Sequence, residues 1–272
     1  MKKLAILLIL TMILSMVLAA CGDGGDGDGD GDGDDSGEPS EVTVFAAASL
    51  TDAFEALAEE FEARNDGVTV RLNFASSSAL ATQINEGAGA DVFASANPQQ
   101  MQNVADEDGL VGETQPFAGN RLVVAVNSES DIEAIEDLTA DSVTLILSAP
   151  ETPIRVYTDD SIAMLNDSGE FGPDFAENMM ANLASEEATV RAAVLKVSLG
   201  EADATFSYSS DITPDIRDDV RAIDIPDDYN VLATYPIAAT SENPLANAFI
   251  EFVLSADGQA ILAEWGFLSA PE

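Results

Sequence analysis

The sequence predicts an α/β fold for its body, set behind a leading segment that is no part of that fold. Three observations lead there. From Glu41 onward, short β-rich runs alternate with stretches of helical periodicity, the pattern of strands and helices in layers. A chain of 272 residues that is 46% apolar has enough material for one large or two modest domains with a sizeable core. Ahead of Glu41 the chain is first a largely apolar run and then mostly Gly and Asp, and neither suits a layered core.

The leading segment divides in two. Met1-Lys2-Lys3 precedes an apolar run from Leu4 to Ala20, so residues 1–20 read as a secretory signal peptide, with an uncleaved membrane anchor as the rival on length alone. The single cysteine, Cys21, directly follows Leu18-Ala19-Ala20, which resembles the lipobox of bacterial lipoproteins. That resemblance implies cleavage before Cys21 and its lipidation, and two acyl chains there hold a protein on a membrane durably. Residues 21–40 are then the lipidated cysteine and a disordered acidic tether of Gly-Asp repeats, which spans roughly 25 Å on average. A calcium loop of EF-hand type fails in this tract: starts at Asp26 or Asp28 put Gly37 or Pro39 where a bidentate Glu is required, and a start at Asp30 puts Asp35 at the obligatory glycine.

The body follows element by element. Val42–Phe45 reads as a strand, and Leu50, Ala53, Phe54, Leu57, Ala58 and Phe61 mark one face of a helix. Val68–Leu72 is a second strand, followed by a helix over 79–85 that stops at Gly87. Asp91–Ala94 is a third strand, with a helix after Pro98. Further strands are predicted at 121–126, 143–147, 203–208, 220–225 and 231–239, and helices near 153–166, 173–183, 187–198 and 244–263.

Composition excludes several chemistries. With no histidine and one cysteine there is no His-activated nucleophile, no histidine-held metal and no intrachain disulfide. A formal charge of −40 argues against a nucleic-acid partner, which needs clustered Lys and Arg. Carboxylate-only catalysis survives. Attention then falls on the junctions where a strand passes into a helix: Ala46-Ala47-Ala48-Ser49, Ser76-Ser77-Ser78 and Thr152-Pro153-Ile154. Such turns lie beyond the carboxyl ends of strands, where helix N-termini offer free N–H groups to an anion. Plain helix capping competes, since Ser49 with Asp52 three residues on has the capping-box spacing.

A resemblance gives these junctions a role. The run from Val42 through Ala46-Ala47-Ala48-Ser49-Leu50-Thr51-Asp52 to Phe54 closely resembles the mature start of the molybdate-binding proteins of ABC importers. So do Asn73–Ile84 and Gly87–Ala96, and near the other end Gly200–Ala204, Tyr208–Asp211 and Tyr235–Ala238, so that the likeness runs from Glu41 to Phe267. It implies a two-lobed periplasmic-binding-protein-like fold of type II with the ligand cleft between the lobes. Lobe one would comprise 41–120 plus 236–272 and lobe two 121–235, with chain crossings near 119–122 and 232–237. Carried over position by position, Ser49 and Ser77 would donate from lobe one, Tyr208 would donate its phenol from lobe two, and Ile154 and Val190 would each give a backbone N–H. At one of these the sequence departs: it reads Pro153-Ile154-Arg155 where the family usually reads Pro-Ala-Gly.

The function so implied is capture of molybdate, and of tungstate, outside the cytoplasm by a monomeric, lipid-anchored protein. It would deliver the ion to an ABC permease, with no cofactor and no catalysis. The chemistry agrees: both ions are dianions near neutral pH whose oxygens only accept hydrogen bonds, so a site of hydroxyls and amides without a carboxylate suits them. Acid elsewhere on the protein is screened beyond a Debye length of about 8 Å. The alternatives are a binder of sulfate or thiosulfate, and more remotely a carboxylate-dependent surface hydrolase.

Overall fold

The structure, a computed structural model, describes residues 40–270. The expected signal peptide, Cys21 and nearly all of the tether lie outside the described residues. The strands are β1 (Glu41–Ala47), β2 (Thr69–Ala75), β3 (Val92–Ala94), β4 (Gln115–Asn120), β5 (Leu122–Asn127), β6 (Leu145–Ser148), β7 (Leu183–Glu187), β8 (Ala204–Tyr208), β9 (Val220–Asp224) and β10 (Ala233–Ala239). The helices are α1 (Thr51–Arg64), α2 (Ser77–Asn85), α3 (Pro98–Ala105), α4 (Pro153–Ser168), α5 (Phe175–Met180), α6 (Val190–Ser198), α7 (Pro244–Leu254) and α8 (Ala256–Glu264).

Among the described residues these strands form two five-stranded sheets, ordered β2-β1-β3-β10-β4 and β7-β6-β8-β5-β9. In the first, β1 runs parallel to β2 and β3, while β10 is antiparallel to β3 and β4. In the second, β6 runs parallel to β7 and β8, and β5 is antiparallel to β8 and β9. Parallel strands deliver their carboxyl ends to one edge, and that edge is where the site forms in each sheet. Central strands are covered on both faces, which is why Val44 and Ala46 on one face of β1 and Phe45 and Ala47 on the other are all buried. Helix α1 packs its apolar face on this sheet through Phe54 and Phe61; Phe54 meets Phe117 edge-on at 5.8 Å and Phe61 meets Phe249 at 5.3 Å. Each such buried ring contributes about 1.5–3 kcal/mol.

The chain passes between the sheets twice. The first passage is Arg121 alone, between β4 and β5, and the second is 225–232, between β9 and β10. They are pinned side by side. The Asn230 amide oxygen accepts from the Leu122 N–H (3.1 Å) and its NH2 donates to the Leu122 carbonyl (2.8 Å), while Arg121 pairs with Asp227. β10 enters the first sheet at Ala233, where Ala233 and Tyr235 pair with Asn120 and Ala118, so residues 233–235 sit with that sheet rather than with the second.

Several predicted elements differ. Strand β4 was not foreseen from the sequence, and the stretch read as helix over 187–198 begins as the strand β7 and turns helical only at Val190. The helix read over 173–183 is confined to Phe175–Met180. The long helix read over 244–263 is two helices broken at Ser255, whose hydroxyl accepts from the Gly258 N–H to start α8. Gly258 is required there, because a Cβ would collide with the carbonyls of Phe252 and Val253.

Candidate functional site

Four chain turns converge at the carboxyl edges of the two sheets. After β1, a single turn of 3-10 helix over Ala48–Leu50 carries Ser49 and leads into α1. After β2, Ser76 caps α2, accepting from the Ala79 N–H at 3.3 Å, so Ser77 is the first helical residue. In the second sheet α4 starts with Pro153 in its first turn, and α6 starts at Val190 behind Thr189, whose hydroxyl accepts from the Ala192 N–H at 3.1 Å. First-turn amides have no carbonyl four residues back within their helix, so the N–H groups at Ser77, Ile154 and Val190 are free to bind something else. Tyr208 ends β8 on the same side.

These turns enclose a cleft of about 250 Å³ that is open to solvent. Ser49, Ser77, Ile154, Val190 and Tyr208 all line it, with Ala47, Ala48, Ser76, Ala96, Thr152, Pro153 and Thr189 between them. The structure thus brings the five sequence-predicted residues together. No Asp, Glu, Lys or Arg is in the lining, and among the described residues no cluster of acids and cysteine could hold a metal ion.

The hydroxyls are set as donors. Ser77 is buried and its Oγ accepts from the Ala96 N–H at 2.9 Å, which leaves its own proton to point elsewhere. Ser49 shares a 3.0 Å hydrogen bond with the buried Tyr235 phenol. Once the Ser49 proton turns to a ligand, Tyr235 is the donor in that bond. Ser49 caps nothing, and Asp52 is committed to Arg191, so the capping box suggested by their spacing does not form. The Tyr208 hydroxyl is shielded from water and makes no hydrogen bond of ordinary geometry, although the Tyr235 phenol, itself bonded to Ser49, lies beside it. A buried polar atom left unpaired is costly, which makes this phenol the clearest mark of a missing partner. Its ring is fixed edge-on against Tyr235 (5.6 Å) and Tyr157 (6.5 Å). Burial first, then the neighbouring phenols, drive its pKa well above the usual tyrosine value, so it stays protonated and able to donate.

Arg155, the departure from the family pattern, turns away from the cleft. Its guanidinium bonds Asp159 (2.7 Å), Glu186 (2.6 Å) and the Ser148 carbonyl (3.2 Å), anchoring α4 to β6 and β7. Behind Tyr208 lies Asp211, a buried carboxyl that accepts the Tyr208 N–H at 3.0 Å; burial pushes its pKa up to about 7 against the pull of that bond and of Arg191. Tyr235 and Asp211 fall within motifs legible in the sequence, yet nothing there signalled their supporting parts. The Ala96 amide is a main-chain group and leaves no trace in a sequence.

The family model described as bacterial extracellular solute-binding protein matches residues 42–268. The molybdate-binding protein ModA of Mycobacterium tuberculosis is 37% identical over 231 residues, covering 83% of this chain and 84% of the relative. Among solved structures, the periplasmic molybdate-binding protein of Azotobacter vinelandii superposes with a TM-score of 0.74 at 18% identity, over 85% of this chain and all of the other. The sulfate-binding protein SubI of M. tuberculosis gives 0.73 at 17%, over 84% and 86%. At those two identities the likeness is one of fold.

Proposed function

The chain belongs to the bacterial extracellular solute-binding proteins, and from that premise we propose that it captures molybdate in the cleft between its sheets and hands it to an ABC importer. The observation that carries the reading is the lining itself: hydroxyl side chains, those of Ser49, Ser77 and Tyr208 among them, and the first-turn amides of three helices face one small space with no carboxylate among them. Hydrogen bonds to a charged acceptor are worth about 1.5–3 kcal/mol each, so a few suffice for tight binding. Ser49 and Ser77 supply hydroxyls from the first lobe. Ile154 and Val190 supply amides, and Tyr208 its phenol, from the second. Closing the lobes brings the two sets onto one ion. The body from 41 to 120 with the C-terminal stretch acts as lobe one and the middle of the chain as lobe two.

Tungstate, of the same charge and shape, is bound as well. The protein works as a monomer outside the cytoplasm, exported by residues 1–20, lipidated at Cys21 and tethered by residues 22–40. Mass spectrometry of the mature chain, finding a free N-terminus other than a diacylated Cys21, would refute the anchor. The fold it shares with a sulfate-binding protein keeps sulfate or thiosulfate as the second reading. Calorimetric titration separates them: one site per chain, tight for molybdate and tungstate and much weaker for sulfate, is the expected result. Sulfate binding as tightly as molybdate would overturn the assignment. A hydrolase would need paired acids in the cleft, and its lining holds none.

A further inference from the structure

Three residues past Ser49 and one past Val190, two charged side chains reach across the cleft. Asp52 lies in the first turn of α1, against the first sheet, and Arg191 in the first turn of α6, against the second. Both carboxylate oxygens of Asp52 accept from the guanidinium, Oδ1 from Nη2 at 3.1 Å and Oδ2 from Nη1. The fork-to-fork geometry is the strong form of this pair. Asp52 is only 24% exposed and Arg191 42%, so the bond is partly sheltered. No other ion pair among the described residues joins the two sheets' helices beside the cleft. Arg191 also faces Asp211 and Asp215, which leaves it in surplus acid and holds its charge firmly.

We propose that Asp52 and Arg191 are positioning residues that latch the lobes shut, clamping the start of α6, and with it the Val190 amide, onto the ligand. The two carriers sit on opposite lobes, so opening the cleft must break the bond and closing must remake it. The pair touches no ligand. It therefore sets the lifetime of the closed state and not the encounter with the ion. It rests on the reading of the cleft as the ligand site, and a ligand-free measurement below tests it apart from that reading.

The test is stopped-flow binding and release of molybdate by the full chain, its Trp265 fluorescence the signal, for the parent, Asp52→Asn, Arg191→Gln and the double variant. Release is expected to quicken about fivefold in each single variant and no further in the double, with the association rate unchanged. Raising salt from about 0.01 M to 1 M shortens the Debye length from about 30 Å to 3 Å and should speed release from the parent more than from either variant. In the ligand-free chain, amide exchange over 48–54 and 189–194 should speed up in both single variants, with no added effect in the double. A merely structural pair would change stability and leave the release rate alone. Unchanged release with additive exchange would overturn the latch, whereas a parent that does not bind molybdate while its exchange behaves as expected would overturn the ligand reading and leave the latch standing.

Discussion

Replacing Tyr208 by Phe removes one oxygen from a ring that is otherwise held. The Tyr208 hydroxyl is buried without a hydrogen bond of ordinary geometry, and the edge-on contacts to Tyr235 and Tyr157 depend on the ring alone. Two effects of opposite sign follow. In the ligand-free protein the variant no longer buries an unpaired donor, so its stability should hold or rise by up to about 1–3 kcal/mol. In the complex it lacks one hydrogen bond to a charged oxygen, about 1.5–3 kcal/mol, which weakens molybdate binding about 10- to 150-fold. Denaturant melts without ligand and calorimetric titration with it, both near neutral pH, read the two quantities separately. A variant that binds molybdate like the parent, or one that loses stability while keeping affinity, would refute the reasoning that this phenol waits for the ion.

Ser77→Ala should behave differently, because its oxygen also accepts the Ala96 N–H. Affinity should fall on the same scale, and stability should fall too, by about 1–3 kcal/mol, as the buried amide loses its acceptor; melts and titrations of this variant that show only one of the two losses would contradict the dual role. Asp211→Asn tests the buried carboxyl. Its folded pKa of about 7 lies above the ordinary 3.8, so the folded state holds the proton more tightly and its stabilising share, present at pH 4, is lost as pH rises through 7. An asparagine oxygen still accepts the Tyr208 N–H without charge. The variant should therefore gain on the parent, by a few kcal/mol at most, as pH rises from about 4 to 7 in denaturant melts, and a difference that does not vary with pH would contradict the assignment.

What the sequence made legible, and what it hid, divides on physical lines. The helix α1 was readable because its apolar face repeats cleanly, and all the members read from that face are buried. Strand β7, Leu-Ala-Ser-Glu-Glu, was hidden because its residues favour helix; pairing with β6 at the sheet edge overrides that preference, and its exposed, acidic edge suits such a position. Strand β4 was masked by Pro116 and Gly119, yet it too is an edge strand, where a proline costs no ladder bond. The break at Ser255 leaves no gap in the apolar pattern, so periodicity ran through it. At the site, hydroxyl-bearing residues were legible by type and place. Their supports were not: a main-chain amide at Ala96, a tyrosine from the returning strand β10 and a salt bridge between distant helices all depend on contacts that only folding creates.

The first-turn amides that Ile154 and Val190 present at the cleft, the donors of the proposed site, carry one further consequence. Because the hydrogen offered belongs to the backbone, mutation at either position can reshape the wall of the cleft but cannot delete the donor, unless the new residue is proline. Drift is thus permitted where a catalytic side chain would forbid it, and an isoleucine and an arginine can occupy a segment that elsewhere reads alanine and glycine. The arginine braces α4 through Asp159 and Glu186. A binding site written partly in backbone is inherited with the fold, and its residues are free to spell something else.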